Sequence, residues 1–256
     1  MAELHEDRRR ALSFGAIAGD YDRLRPRYAQ RCIDAIARPG GSALDIGSGT
    51  GILTRQLREA GMSVLAVEPD PAMAAMTRAS GVPVQTSTFE HWDDAGRTFD
   101  LVTFGQSFHW VDADAAVPRL TGLLNPDGAV ALLWNKLRPS SPSNDELRAA
   151  SPDYVTVDAV SSEPSRAEAA LAQLSSRLAG AGLSVSLRED SWTEMQPGAR
   201  WLDLIFTYSA HSTLCAERRA ALRAALAAVI GDREVTIAAS TIALIARMAP
   251  ASGRSS

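Results

Sequence analysis

The feature that most limits the fold is a glycine-rich stretch, residues 43–51, with the sequence Ala-Leu-Asp-Ile-Gly-Ser-Gly-Thr-Gly. Three glycines at alternate positions follow a short apolar run that contains one acid, Asp45. From Ile52 onwards, apolar residues recur at helical spacing until Gly61, where a helix C-cap belongs. The stretch therefore predicts a strand, a glycine loop and a helix. Glycine lets such a loop adopt unusual dihedral angles and lets a ligand lie against bare backbone, and the helix start offers unpaired N–H groups.

The spacing of the glycines separates two classes of nucleotide ligand. Dinucleotide sites use Gly-x-Gly-x-x-Gly, which lets a pyrophosphate sit on the helix start. Here Gly51 comes one residue early, and Ile52 stands in the expected place. Asp45, two residues before the first glycine, is poorly placed for a pyrophosphate but well placed for a cation.

Residues 44–51 resemble motif I of the class I S-adenosylmethionine (SAM) methyltransferases. The resemblance implies that the loop wraps the amino-acid end of SAM, and that Asp45 helps to orient the SAM ammonium through neighbouring backbone or water. The loop residues that the resemblance assigns to the cofactor are Gly47, Ser48, Gly49 and Gly51. A glycine turn in an ordinary βα unit is the alternative.

Length and composition set the broad class of the protein. A chain of 256 residues, 46% of them hydrophobic, fits one α/β domain with a modest extra region. A net charge of −4 does not indicate the excess of positive charge that is typical of nucleic-acid-binding proteins. No apolar stretch approaches the ~20 residues of a membrane span, and the N-terminus does not resemble a signal peptide. We therefore expect a cytoplasmic monomer or homodimer with no nucleic acid or membrane partner.

The segment ahead of the glycine loop, residues 14–28, places two tyrosines and several arginines around Pro26. It resembles the segment that precedes motif I in small-molecule methyltransferases, where it folds over the bound SAM. The resemblance implies that Tyr21 and Arg25 belong to the cofactor site, with Tyr28 a weaker candidate. A helix packed on the sheet edge is the alternative for Tyr28.

The second predicted strand, residues 63–67, ends at Glu68 and Pro69. An acid at this point, ~20 residues past the loop, can accept both ribose hydroxyls of a nucleoside. Such an acid suits NAD and SAM equally, so the glycine spacing decides between them. Asp70 and Pro71 then predict the N-cap and first residue of the next helix.

The adenine end of the predicted site combines that helix with the loop after the third strand, residues 82–86. Met73 either contacts the adenine or belongs to the core. In the family, an acid in the loop meets the adenine amino group. Thr88 stands where Asp is frequent, so that contact is weakened or moved, and Phe89 is the predicted neighbour of the adenine. We expect His91 on the surface.

A polar cluster follows the fourth predicted strand, residues 97–104. The carboxyl end of a central strand faces the ligand crevice of an open α/β sheet. The cluster resembles the Gln-x-x-His-Trp version of motif IV, found in enzymes similar to trans-aconitate methyltransferase. It lacks an acid for a catalytic Mg²⁺, so we expect no metal.

Gln106 and His109 are the catalytic candidates, with Gln106 also near the cofactor, and the acceptor-side candidates are Ser107, His109 and Trp110. For His109 a structural role is equally supported.

Beyond residue 135 the sequence predicts a region that covers the acceptor pocket. Trp192, Arg200 and Tyr208 are acceptor-side candidates by resemblance, with packing as the alternative for each. Pro118 is predicted to begin a helix that runs to Leu124. The other predicted elements are a strand over 129–134, a helix over 165–180, a strand over 183–192, a helix over 216–230 and a last strand over 235–246.

The whole chain, residues 1–256, is interpreted as a single class I methyltransferase domain. The fold class is α/β, a Rossmann-like, doubly wound, mostly parallel seven-stranded sheet whose last strand is antiparallel, with a small helical insert over the acceptor. Its predicted parts are an N-terminal helical cap over 1–40, a SAM-binding core over 41–135, an acceptor-covering region over 136–215, and a final helix and strand over 216–250. We expect a disordered tail after residue 250.

The predicted activity is metal-independent transfer of a methyl group from SAM to a small molecule, at a carboxylate, a hydroxyl or an amine. A regulatory or scaffold protein that binds SAM without chemistry is the first alternative, and the polar set around His109 argues against it. An NAD-dependent oxidoreductase is the second alternative. Ile52 and the lack of a hydride-transfer constellation disfavour it.

Overall fold

The computed structural model describes residues 17–155 and 164–248. The first 16 residues of the predicted N-terminal cap and the predicted disordered tail lie outside this part of the chain.

The fold is built on a seven-stranded sheet with the strand order β3-β2-β1-β4-β5-β7-β6. Strands β1 to β5 pair in parallel, while β7 runs antiparallel to both of its neighbours, β5 and β6. The predicted fold class is thus confirmed, including the antiparallel last strand. The strands are β1 Ser42–Ile46, β2 Ser63–Val67, β3 Val84–Gln85, β4 Phe99–Gly105, β5 Leu124–Ser141, β6 Leu183–Pro197 and β7 Glu234–Met248.

Helices cover the sheet and cap one of its ends. Asp70 starts the helix after β2 as predicted, because its side chain accepts from the N–H groups of Ala72 and Met73 and Pro71 follows it. A short 3₁₀ turn, Phe108–Trp110, follows β4. The helices are α1 Ala18–Leu24, α2 Gln30–Ile36, α3 Ile52–Glu59, α4 Pro71–Ala79, α5 Ala113–Gly122, α6 Asn144–Ala150, α7 Pro164–Gly180, α8 Gly198–Ile205, α9 Ser209–Ser212 and α10 Ala216–Ile230. No helix in the described ranges is long and apolar enough to cross a membrane.

The central strands are buried on both faces. Leu44, Val102 and Leu132 are completely inaccessible, as expected for parallel strands with helices on either side. Full burial of such a side chain contributes ~1.5–3 kcal/mol. The central sheet is therefore a rigid support for the loops at its carboxyl edge.

Strand β5 is three times longer than the predicted strand over 129–134. Near its start, the pairing register between β5 and β4 shifts between Phe99 and Leu101 of β4, and Asp127 of β5 has a φ of 62°. At its end, β5 stays paired with β7 as far as Ser141. The residues after 135 are polar and proline-rich, a composition that favours a loop, but the neighbouring strand β7 supplies their backbone partners.

The prediction that Pro118 begins a helix is wrong. Helix α5 begins five residues earlier, at Ala113, because the Asp112 side chain caps it by accepting from the N–H of Asp114 at 2.9 Å. Pro118 lies inside the helix. Because proline has no backbone N–H, it cannot donate to the carbonyl four residues back. The helix therefore loses a single hydrogen bond near its start.

Candidate active site

The main cavity lies at the carboxyl ends of β1, β2 and β4, where the strand order reverses direction. Ligands of open α/β sheets bind at this position. Its volume is about 560 Å³, within the range of small-molecule sites. The lining residues are Tyr21, Ile46, Gly47, Gly49, Glu68, Pro69, Met73, Ser87, Thr88, Phe89, Glu90, His91, Ser107, Trp110, Val111 and Asp112.

The three glycines of the loop differ in the space that surrounds each of them. All three have positive φ values: 64° at Gly47, 57° at Gly49 and 88° at Gly51. A Cβ on Gly47 would lie 2.6 Å from the Ser107 Cβ, and a Cβ on Gly51 would lie 2.8 Å from the Thr77 hydroxyl. A Cβ on Gly49 would stay 3.8 Å from any side chain. Gly47 and Gly51 are therefore required by packing, whereas Gly49 leaves open space in the cavity.

Glu68 joins the end of β2 to the glycine loop. Its two carboxylate oxygens accept from the backbone N–H of Gly49 at 2.7 Å and of Asp70 at 2.9 Å. Burial raises the pKa of Glu68 to about 7, although both N–H bonds act to lower it. Each carboxylate oxygen can accept more than one hydrogen bond, so Glu68 can still accept from a ligand in the cavity.

Asp45 lies beneath the loop, outside the cavity lining. Its carboxylate is completely buried and accepts from the hydroxyls of Thr54 at 2.5 Å and Thr103 at 2.9 Å. Burial raises the pKa of Asp45 to about 6, against the lowering effect of the two hydroxyls. Asp45 therefore ties β1 to α3 and β4. The sequence analysis did not single out either threonine.

One end of the cavity is formed by the loop after β3. Thr88 and Phe89 both line it, and the Thr88 hydroxyl lies 2.9 Å from Nδ1 of His91. The Phe89 ring packs edge-on against Phe104, with centroids 5.7 Å apart. The Arg119 guanidinium lies 4.7 Å from the centre of the same ring. His91 is exposed as predicted, but it also lines the cavity, which the sequence analysis missed.

Gln106 follows β4 in an unusual backbone conformation. Its φ is 58°, a left-handed value that is uncommon for a residue other than glycine. The side-chain Nε2 donates to the Asn135 carbonyl at 3.0 Å, while Oε1 is buried without a partner among the described residues. Strained backbone of this kind, at a cost of ~1–3 kcal/mol, is concentrated at functional sites.

Of the other residues after β4, Ser107 and Trp110 line the cavity and His109 does not. The Ser107 hydroxyl donates to the Ile46 carbonyl at 2.6 Å. The His109 ring lies against the Trp110 indole, with centroids 4.8 Å apart. Phe108 anchors the turn by packing on Phe104 in the core, at 5.1 Å between centroids.

No group of three or more His, Cys, Asp or Glu side chains within the described ranges could hold a metal ion.

Comparison with known proteins agrees with this geometry. A protein-family model described as "Methyltransferase domain" matches residues 44–132, from β1 into β5. This stretch is therefore similar to a methyltransferase domain. An uncharacterized methyltransferase of Mycobacterium tuberculosis is 38% identical over 129 residues, which are 49% of this chain and 53% of that protein. The chain thus spans about half the length of the curated relatives it matches.

Two solved structures resemble the whole described fold. One is a protein of Anaeromyxobacter dehalogenans, provisionally described as a type II methyltransferase. It has a TM-score of 0.62 and 21% identity and covers 88% of this chain and 99% of that one. The other is the YcgJ protein of Bacillus subtilis, with a TM-score of 0.51 and 16% identity, covering 85% of this chain and 96% of that one. At these identities the likeness establishes the fold.

The N-terminal arm, residues 21–27, closes one side of the methyltransferase cavity. Tyr21 lines the cavity. The Arg25 guanidinium lies 4.5 Å from the centre of the Tyr21 ring and 3.4 Å from that of Tyr208. Arg25 also donates to the Thr207 hydroxyl at 2.9 Å and the Thr207 carbonyl at 3.0 Å. The structure thus brings Tyr208, predicted on the acceptor side, together with Tyr21 and Arg25, predicted at the cofactor, although Arg25 and Tyr208 do not line the cavity.

Asn135 connects the arm to the methyltransferase domain. Its Nδ2 donates to the carbonyls of Pro26 at 3.2 Å and Arg27 at 3.3 Å. Its Oδ1 accepts from the Thr241 hydroxyl at 2.6 Å. Asn135 was not predicted from the sequence, although a polar residue directly after the predicted strand over 129–134 is a usable signal.

The remaining predicted residues lie apart from the methyltransferase cavity. Trp192 and Arg200 line a second cleft on the other side of the arm. Tyr28 is buried, and a Cβ on Gly105 would lie 2.7 Å from its hydroxyl, so it belongs to the core. The predicted cofactor residues outside the cavity lining are Arg25, Asp45, Ser48, Gly51 and Gln106.

Proposed function

We propose that this chain transfers a methyl group from SAM to a small-molecule acceptor without a catalytic metal. The observation that carries the proposal is a set of three buried polar atoms on residues that do not line the cavity themselves but directly adjoin its lining residues Gly49 and Ser107. Ser48 Oγ, Thr50 Oγ1 and Gln106 Oε1 have no hydrogen-bond partner among the described residues. Buried polar groups are costly to leave unpaired, so a polar ligand is expected here.

The amino-acid end of SAM has the chemistry that these atoms need. The hydroxyls of Ser48 and Thr50 can donate to its carboxylate, and Gln106 Oε1 can accept from its ammonium. Asp45 would hold the loop in shape beneath the cofactor, since both of its oxygens are already bonded to hydroxyls. Gly49 leaves the space that the ligand would fill.

The nucleoside end would lie between β2 and the loop after β3. Glu68 would accept the ribose hydroxyls, and Pro69 would lie beside it. Phe89 and Met73 would hold the adenine, with Thr88 in place of the more frequent acid. Glu68 already bonds to Gly49, so the proposed ribose and amino-acid subsites are linked through one hydrogen bond of 2.7 Å.

The acceptor would bind between the arm and the turn after β4, where Tyr21, Ser107 and Trp110 meet the cavity. SAM supplies a methyl group that is already activated, so the main task of these residues is to exclude water and align the acceptor. A hydroxyl or amine acceptor also has to lose a proton, and we assign the role of accepting it to His109 in the turn after β4. A carboxylate acceptor needs no base.

A turnover assay with methyl-labelled SAM and a panel of carboxylates, hydroxyl compounds and amines tests the activity. We expect label transfer to one chemical class by the wild-type protein and by Glu59→Gln, an exposed control. Glu68→Gln should need a higher SAM concentration for the same rate. SAM binding without label transfer to any class would favour the regulatory or scaffold alternative.

A further inference from the structure

A second cleft lies beside the methyltransferase cavity, on the other side of the N-terminal arm. Its walls are the arm, the first turns of α3, the ends of β5 and β6, and α8, and its volume is about 650 Å³. It shares no lining residue with the first cavity. The lining residues are Asp22, Arg23, Leu24, Arg25, Pro26, Arg27, Ile52, Arg55, Leu137, Trp192, Glu194, Met195, Gln196, Arg200 and Leu204.

The wall of this second cleft carries an excess of positive charge, with five arginines and two carboxylates. Arg23, Arg27 and Arg55 each form an ion pair with an acid. Arg25 and Arg200 have no carboxylate partner in the part of the chain that the structure describes. Arg25 is held by uncharged groups, the hydroxyl and carbonyl of a threonine. Glu194, the other carboxylate of the wall, forms no ion pair within the described ranges, so one net positive charge is left for an anion to neutralise.

Gln196 provides an independent sign of a missing ligand. Its side chain lies in the wall of the cleft and is only 8% exposed. Its Nε2 is buried without a hydrogen-bond partner among the described residues. An amide donor in this situation is stabilised by an acceptor atom from outside the chain, and an oxyanion is such an acceptor.

An apolar surface completes the cleft. Leu137 and Leu204 are almost completely buried, and Trp192 is partly exposed beside them. The Trp192 indole is fixed because its Nε1 donates to Glu194 at 3.1 Å. An aromatic ring beside two arginines that lack a carboxylate partner suits a ligand with an apolar body and a negatively charged end.

We propose that the second cleft binds a small molecule that carries an oxyanion, a carboxylate or a phosphate, on an apolar body. Arg200 and the Gln196 amide bind the oxyanion, the charge of Arg25 attracts it, and Trp192 packs against the apolar body. A planar guanidinium is well matched to either oxyanion. This site is separate from the proposed SAM site and does not depend on methyl transfer.

Calorimetry on the full chain tests this with four probes: benzoate, phenyl phosphate, acetate and inorganic phosphate. We expect saturable binding of benzoate or phenyl phosphate, at least several-fold tighter than that of acetate or phosphate, because Trp192 contributes. The benzoate and phenyl phosphate arms decide between a carboxylate and a phosphate. Saturating S-adenosylhomocysteine should leave the affinity unchanged.

Variants of the cleft residues distinguish specific binding in the cleft from a nonspecific attraction of the anionic probes to positive charge. Arg200→Gln should weaken probe binding about tenfold or more, since a charge-assisted bond is lost, and Gln196→Leu should weaken it to a smaller degree. Arg188→Gln is the matched control, because Arg188 is an exposed arginine on the same strand as Gln196 and lies outside the cleft. The proposal is overturned if no probe saturates, if Arg188→Gln weakens binding as much as Arg200→Gln, or if S-adenosylhomocysteine displaces the probe.

Discussion

The two cavities on either side of the N-terminal arm are built in different ways. The methyltransferase cavity is lined by the glycine loop, by apolar side chains such as Met73 and Phe89, and by Glu68, whose pKa is raised. Asp45, whose pKa is also raised, lies beneath the loop. The second cleft is formed by long side chains, and arginines are its commonest residue. One is suited to a ligand with a cationic end and hydroxyls, the other to an anion. The arm belongs to both, through Tyr21 on one side and Arg25 on the other.

The largest expected effect is on the glycine loop. Gly49→Val places a branched side chain in the space where the ligand should lie, so binding of S-adenosylhomocysteine by calorimetry should be abolished. Gly96→Val is the matched control, because Gly96 also has a positive φ, 71°, but nothing lies near its Cβ position. Both variants should keep the far-UV circular dichroism of the wild type. Wild-type affinity in a folded Gly49→Val protein would show that the loop is not the site.

A large effect on turnover is expected for His109→Ala. If His109 is the proposed general base, its removal should lower the rate ~10²–10⁴-fold and should remove the acidic limb of the pH–rate profile. Affinity for S-adenosylhomocysteine should stay within a few-fold, because His109 does not line the cavity. Equal losses of cofactor affinity in His109→Ala and Glu68→Gln would move His109 into the cofactor site. Unchanged turnover of the true acceptor would leave His109 with a structural role only.

The features on which these two predictions depend could be recognised in the sequence. The glycine loop, Glu68 and the turn after β4 follow from contiguous stretches, because each directly follows a buried strand. Parallel strands bring their carboxyl ends to one edge, so the assembly of these stretches could be predicted as well. The helix cap at Asp70 could be predicted because it depends on neighbouring residues alone.

Other parts of the fold and of the two cavities depend on contacts between residues that are far apart in the sequence, so no local sequence pattern predicts them. The second cleft combines five separate segments, and Trp192 and Arg200 fall there rather than in the first cavity. The Asn135 bonds to Pro26 and Arg27 join residues more than 100 positions apart. The long strand β5 was missed because its polar end is stabilised by β7, which follows about 100 residues later.

A moderate effect is expected at the ribose end. Glu68→Gln should weaken binding of S-adenosylhomocysteine by about 10- to 100-fold, since hydrogen bonds to a charged acceptor contribute ~1.5–3 kcal/mol. Glu59→Gln should bind as the wild type does. If the two variants bind alike in calorimetry, Glu68 does not accept the ribose.

The raised pKa of Glu68 also predicts that the stability of the wild type and its affinity for S-adenosylhomocysteine depend on pH in a way that Glu68→Gln removes. The group protonates more readily in the folded protein, so its contribution to stability is complete below pH 4.5 and is lost as the pH rises to about 7. Relative to Glu68→Gln, the unliganded wild type should lose at most about 3 kcal/mol of unfolding free energy over this window. Binding of S-adenosylhomocysteine should strengthen over the same window, because the ionised carboxylate is the better acceptor. Denaturant titrations from pH 4.5 to 8 measure the first effect, and parallel trends in both proteins would contradict it.

The smallest effect is expected at the arm. Arg25→Lys keeps the charge but loses the planar stack on Tyr21 and Tyr208 and the paired bonds to Thr207. Thermal and chemical unfolding should show a loss of ~1–2 kcal/mol, with weaker ligand binding in both cavities. Arg31→Lys, at an exposed arginine that lies shortly after the arm and lines neither cavity, should have little effect. A change confined to one cavity would show that Arg25 does not support both of them.

The central claim, that the methyltransferase cavity binds SAM, is tested most directly by calorimetric titration of the wild-type chain with S-adenosylhomocysteine and, separately, with NAD. We predict saturable binding of one S-adenosylhomocysteine per chain and no saturable binding of NAD at the same concentrations. Tight NAD binding with none of S-adenosylhomocysteine would contradict the account.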